Sequence, residues 1–153
     1  MMKALFMDRD GTINVDYGYV HRVEDFHLID GVLDFCKTAC TKGYGIIVIT
    51  NQSGISRGYF SRADYALVME HMRKLFSYAG IDLLDVFHCE ELSGPLRKPA
   101  PGMFLLARDK YGIDMASSIN IGDSQRDIDA GLAAGVGRNI LFNGSYVGLA
   151  DLL

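Results

Sequence analysis

The sequence predicts an α/β domain: a doubly wound, mostly parallel sheet with helices on both faces. Three observations predict it. Short apolar runs of strand length recur along the chain, each stops in a polar Asp-, Asn- or Gly-rich stretch, and segments with apolar residues at helical spacing separate them. Runs that are apolar throughout suit strands buried on both faces, as parallel strands are. A length of 153 residues matches about one domain of 150 residues, so residues 1–153 are expected to share one core.

Ala4–Met7 is the first such run and Gly45–Ile49 the second, stopped by Asp8-Arg9-Asp10-Gly11 and Thr50-Asn51-Gln52-Ser53-Gly54. Between them Val32, Leu33, Cys36, Ala39 and Cys40 recur at helical spacing up to Gly43, which completes a βαβ unit with both cysteines expected in the core. Residues 12–30 are irregular and mostly polar and read as a small flap over the end of the first strand. Ser61 with Asp64 forms a capping box, and Tyr65, Val68, Met69, Met72, Leu75, Phe76 and Ala79 make the apolar face of the helix that follows. Asp85–His88 reads as a strand, 92–102 as a Pro/Gly-rich loop and 101–111 as a helix. Ser118–Ile121 is then a strand, 124–134 a helix capped by Ser124, and Asn139–Phe142 a last strand. In such an alternation the site lies outside the carboxyl ends of the strands. Nothing in the chain reads as a large cap domain.

Composition narrows the function. Fifteen basic and nineteen acidic residues give a net charge of −4 with no polybasic run, so neither nucleic acid nor an anionic membrane is an expected partner. Three cysteines are too few and of the wrong parity for a disulfide framework. With no secretory leader or membrane-length apolar run in the sequence, a cytoplasmic, soluble protein is expected.

The chemistry concentrates in loops that follow predicted strands. Asp8 and Asp10 stand one residue apart at a strand end, and Gly11 lets the backbone amides turn inward. Thr50 and Asn51, Arg97 and Lys98, and Gly122 and Asp123 fall on the same side. Asp8, the Asp10 carbonyl and Asp123, with waters and a phosphate oxygen, supply the hard octahedral oxygen shell that Mg²⁺ demands. Lys98 would neutralise charge as phosphorus passes its transition state, and the Thr50 hydroxyl with the Asn51 amide would hold the remaining oxygens. An acidic pair alone is more often a solvated turn than a nucleophile and acid; four loops on one edge reverse that and point to phosphoryl chemistry. Asp127 reads equally as the N3 residue of a capping box or as a group orienting Lys98, and Arg57 as a rim charge or a substrate contact.

Four ordered strings, Asp8-Arg9-Asp10-Gly11-Thr12, Thr50, Lys98, and Gly122-Asp123 with Asp127, resemble the motifs of the haloacid dehalogenase superfamily of phosphohydrolases. Asp8-Arg-Asp-Gly-Thr-Ile-Asn, Thr50-Asn-Gln-Ser-Gly-Ile and Arg97-Lys-Pro-Ala-Pro-Gly-Met are similar to its group of heptose bisphosphate and histidinol phosphatases. The resemblance implies a Rossmann-like sheet and an aspartyl-phosphate formed on Asp8. Asp10 would protonate the leaving alcohol and then activate water. By the same resemblance Thr50 and Lys98 steady the phosphoryl group, Arg97 recognises the substrate, and Asp16, Tyr17, Gly18 and Tyr19 with Thr50, Asn51, Gln52 and Ser53 line a sugar pocket. A small phosphorylated sugar is the implied partner. Relatives commonly carry a Cys/His zinc loop before the Arg-Lys-Pro string; here that stretch offers only His88 and Cys89, short of the four ligands of a structural zinc, so Mg²⁺ without zinc is expected.

Three functions compete. A Mg²⁺-dependent phosphomonoesterase acting on a sugar phosphate leads; the resemblance implies heptose 1,7-bisphosphate ahead of histidinol phosphate, with Arg97 and the Tyr17–Tyr19 loop facing a polyhydroxylated, twice-phosphorylated molecule. A phospho-aspartate receiver switch would share Asp8, Mg²⁺, Thr50 and Lys98, but a second carboxylate beside the nucleophile works against a long-lived aspartyl-phosphate. Phosphotransfer between positions of one sugar would need a larger cap to exclude water.

Overall fold

The computed structural model describes residues 1–153. Strands β1 (Lys3–Met7), β2 (Tyr44–Asn51), β3 (Asp85–Cys89), β4 (Ile119–Gly122) and β5 (Arg138–Leu141) alternate with helices α1 (Val32–Thr41), α2 (Arg62–Tyr78), α3 (Gly102–Tyr111) and α4 (Gln125–Ala133). The five strands form one sheet in the order β3-β2-β1-β4-β5, and every pairing is parallel. The chain winds outward from β1 in both directions, so the strand order reverses between β1 and β4. A crevice opens there at the carboxyl ends.

Side chains alternate across the pleat and divide the interior into two cores. Leu5 and Met7 of β1 with Ile46 and Val48 of β2 face α1 and α2, whereas Ala4, Phe6, Ile47 and Ile49 face α3 and α4. On α1 the buried stripe is Val32, Phe35, Cys36 and Ala39, and on α2 it is Tyr65, Val68, Met69, Met72 and Phe76. Cys40 departs from the expectation: it is exposed. At 100° per residue, position 40 falls past the edge of the 32–35–36–39 stripe.

The flap is anchored more firmly than its polar composition suggests. Ile13, Val20 and Phe26 belong to the larger core, and Val15 N–H to His27 O (2.8 Å) and Ile29 N–H to Ile13 O (2.9 Å) close its base. The C-terminal segment also packs: Tyr146 is buried against Phe35 and Phe142 and donates its hydroxyl to Thr12 O at 2.6 Å. That bond ties the last residues to the loop that follows β1. No helix is long and apolar enough to cross a membrane.

Candidate active site

The loops that leave β1, β2, β3 and β4 converge on one polar cleft of about 340 Å³. Asp8 and Asp10 come from the end of β1, Asn51, Gln52 and Ser53 from β2, Arg97 and Lys98 from the loop beyond β3, and Asp123 and Asp127 from β4 and the first turn of α4. Asp16, Gly18 and Tyr19 of the flap complete the wall. Asp8 sits at the centre because β1 is the middle strand.

Lys98 binds this arrangement together. Its side chain is 2% exposed, and the ammonium lies 3.0 Å from Asp8 Oδ1 and 2.7 Å from Asp127 Oδ1. It also donates to Ile49 O. Burial opposes the charge on Lys98, but Asp8 and Asp127 more than offset it, so the ammonium is held above its usual range. Burial pushes the Asp8 carboxyl up to about 8, with Lys98 pulling it down and Asp127 and Asp10 adding to the rise. Asp123 is raised by burial, and Asp127 pushes the same way. A cation among these carboxylates would favour their ionised forms.

The carboxylates of Asp8, Asp123 and Asp127 bring one oxygen each within 4.8 Å of one another. Hard oxygen donors in this number fit Mg²⁺. Gly11 is part of the fit, because it has φ +86° and a Cβ there would run into the Asp123 carboxylate. Gly122 plays the same part for Asp127, whose side chain fills the space a Cβ would take. Of the expected ligands, Asp8, the Asp10 carbonyl and Asp123, the carboxylates of Asp8 and Asp123 meet here, with the Asp127 carboxylate beside them.

Asp10 turns to a different network. Its Oδ1 accepts from Arg9 Nη2 (2.8 Å) and Asn14 Nδ2 (3.0 Å), and its Oδ2 accepts from Gln52 Nε2 (3.0 Å). Arg9 is itself 1% exposed and also donates to Val20 O. The guanidinium within the motif thus fixes the second carboxylate and the flap together. Sequence reasoning gave Arg9 and Asn14 no role; the only signal was their place in the first motif.

Other expected site residues are distributed unequally. Thr50 is buried beneath the cleft, where its hydroxyl accepts from Gln52 Nε2 at 2.9 Å. The Asn51 side chain is committed to the backbone of Lys98: Nδ2 donates to Lys98 O and Oδ1 accepts from Lys98 N–H, both at 3.1 Å. Asn51 therefore positions the lysine with its side-chain amide. Tyr17 is exposed and does not line the cleft; its hydroxyl bonds His27 Nδ1 at 2.9 Å. Tyr19 does line it, with the ring edge-on to Tyr59 at 4.7 Å. Asp127 fills both roles the sequence left open, since it pairs with Lys98 and accepts from Ser124 N–H at 3.1 Å. Arg57 lines the cleft, as do Ser124 and Arg126, which the sequence did not single out. His88 Nε2 lies 3.0 Å from Glu90.

A doubly wound sheet that gathers acidic side chains, a buried lysine and inward-turning glycine loops at its switch point defines an enzyme of phosphoryl transfer to water. The comparisons with known proteins agree. The chain belongs to the haloacid dehalogenase-like hydrolase family, whose profile matches residues 13–135. It is 44% identical over 142 residues, 92% of this chain and 83% of the relative, to a D-glycero-α-D-manno-heptose-1,7-bisphosphate 7-phosphatase of Campylobacter jejuni. Against a D-glycero-β-D-manno-heptose-1,7-bisphosphate 7-phosphatase of Escherichia coli K12 it is 43% identical over 148 residues, 90% of this chain and 78% of the relative. Among solved structures, the D,D-heptose 1,7-bisphosphate phosphatase of B. bronchiseptica complexed with magnesium and phosphate superposes with a TM-score of 0.83. It is 28% identical, with 90% of this chain and 79% of that one covered.

Proposed function

We propose that this protein is a Mg²⁺-dependent phosphomonoesterase that removes the 7-phosphate of D-glycero-D-manno-heptose 1,7-bisphosphate in the cytoplasm, through an aspartyl-phosphate on Asp8. The observation that carries the reading is the Asp8–Lys98–Asp127 contact, flanked by Asp123 and Asp10 in one cleft. Names of relatives supply the sugar, and they include both anomers.

Asp8, the Asp10 carbonyl and Asp123 would hold the magnesium, with Asp127 engaged by Lys98 and Ser124 beside them. Bound there, the ion supplies charge neutralisation to the phosphoryl oxygens. Lys98 holds Oδ1 of Asp8, which leaves Oδ2 to form the bond to phosphorus while the ester P–O bond breaks. Asp10 gives its proton to the leaving sugar oxygen. The same carboxylate then takes a proton from water, whose oxygen bonds phosphorus as the Asp8 acyl-phosphate bond breaks. Arg9, Asn14 and Gln52 keep Asp10 oriented for both steps. Lys98, fixed by Asn51, faces the charge that develops on the phosphoryl group. Zinc has no part in this reading, because the loop before Arg97 carries one histidine and one cysteine, His88 and Cys89, where a Cys/His zinc loop takes four ligands.

Phosphate release from heptose 1,7-bisphosphate, histidinol phosphate and simple sugar phosphates, measured with Mg²⁺ and with EDTA, tests the proposal. Release with Mg²⁺, greatest for the heptose bisphosphate, is expected. Silence on the whole panel would refute the phosphatase reading, and preference for histidinol phosphate would refute the sugar.

A further inference from the structure

Gln52 ties three strand ends together. It follows β2 directly, and its backbone N–H donates to Cys89 O at the end of β3 at 2.7 Å. Its side-chain Nε2 donates to Asp10 Oδ2, beyond β1, at 3.0 Å and to Thr50 Oγ1, in β2, at 2.9 Å. The residue is 4% exposed. A primary amide carries two N–H donors. Both are spent on Asp10 and Thr50, so neither is left for a sugar hydroxyl. An ionised carboxylate only accepts, which fixes the amide nitrogen on the side of Asp10.

The two oxygens of Asp10 are held unequally. Oδ1 accepts from Arg9 Nη2 (2.8 Å), Arg9 Nε (3.2 Å) and Asn14 Nδ2 (3.0 Å), whereas Oδ2 accepts from Gln52 alone. A carboxylate oxygen offers about two lone-pair sites. Oδ1 is therefore filled, and Oδ2 keeps a site free on a residue that lines the cleft. The Gln52 amide, braced on Thr50, sets the direction of that site.

We propose that Gln52 is a positioning residue: it confines proton transfer to Oδ2 of Asp10 and aims that oxygen at the scissile ester, and it does not hold the sugar. The proposal rests on the phosphatase reading above and deepens it by assigning the atom that moves the proton. In the first step the proton on Oδ2 of Asp10 passes to the leaving oxygen as the ester P–O bond breaks. In the second, the same atom takes a proton from the water that displaces Asp8 from phosphorus. Gln52 itself neither gains nor loses a proton.

The test uses full-length enzyme with Mg²⁺ and three substrates: heptose 1,7-bisphosphate, glycerol phosphate and p-nitrophenyl phosphate. The first two release an alkoxide that needs a proton, whereas p-nitrophenolate leaves without one. Gln52→Met keeps the length of the side chain and removes both donors. It should lower kcat/KM by about tenfold for both alkyl esters and by less than about twofold for the aryl ester. With the aryl ester, steady-state kcat should still fall by about tenfold, because the water step also needs Asp10. Rapid mixing should then show a burst of p-nitrophenol close to one equivalent of enzyme as the aspartyl-phosphate accumulates. Gln52→Glu, which keeps the shape and polarity but loses the donors, should give the same leaving-group pattern, and it decides the case where the methionine variant does not fold. Equal losses of kcat/KM on aryl and alkyl esters, or a loss confined to the heptose substrate, overturn the assignment while leaving the phosphatase intact. Wild-type enzyme inactive on all three substrates overturns the phosphatase reading and the assignment with it.

Discussion

A double-mutant cycle on Lys98 and Asp127 asks whether their contact holds the site together. The two side chains are 2% and 3% exposed and meet at 2.7 Å. At that separation and an effective dielectric of about 20, their attraction is about 6 kcal/mol, set against a desolvation penalty of several kcal/mol per ion. Lys98→Met leaves Asp8 and Asp127 facing each other without the ammonium and orphans Ile49 O. The expected loss is about 3–5 kcal/mol, or roughly 6–20 °C in Tm for a chain of this size. Asp127→Asn leaves Lys98 with Asp8 and should lose less, about 2–3 kcal/mol. The double variant should fall short of the sum by about 2 kcal/mol, since the second change removes a partner already missing. Guanidinium unfolding at pH 7 in EDTA measures all four species. Single variants within about 1 kcal/mol of wild type, or losses that add within about 0.5 kcal/mol, would refute the pair as the site's structural anchor.

Mg²⁺ at about 100 times its Kd should add about 2.7 kcal/mol of stability; thermal melts with and without EDTA check this, and Asp123→Ala should abolish the shift. Gly11→Ala is expected to destabilise by about 1–3 kcal/mol, because the left-handed φ of +86° strains any side chain and the new Cβ meets Asp123; magnesium titration should show weaker binding as well. Asp8→Asn should lower phosphate release by roughly 10³-fold or more while circular dichroism stays unchanged. Tyr146→Phe deletes one buried hydrogen bond, to Thr12 O, and should lower unfolding free energy by about 1 kcal/mol in denaturant.

Much of the fold is legible in the chain because its elements are set by local pattern. β1 and β2 are apolar on both faces, α2 carries its own capping box in Ser61 and Asp64, and strands predicted at 118–121 and 139–142 appear within a residue of those bounds. The flap is less legible. Its core residues Ile13, Val20 and Phe26 follow no helical or strand period, and only the strands beneath them make a place for their side chains.

The sequence by itself determined which acids and bases stand at the ends of strands, since the polar residue that stops an apolar run is fixed by order along the chain. It thereby determined the residue types of the site. Only the tertiary structure decided their partners. Asp127 reaches Lys98 because β4 lies beside β1 and Gly122 lets the helix turn close in, while Asp10 turns to Arg9 because burying that guanidinium demands a counter-charge. Tyr17 leaves the cleft, and Arg126 enters it, through the direction each backbone takes on leaving its loop. Such contacts join residues far apart in sequence, and no local periodicity carries a record of which distant group will satisfy a buried charge.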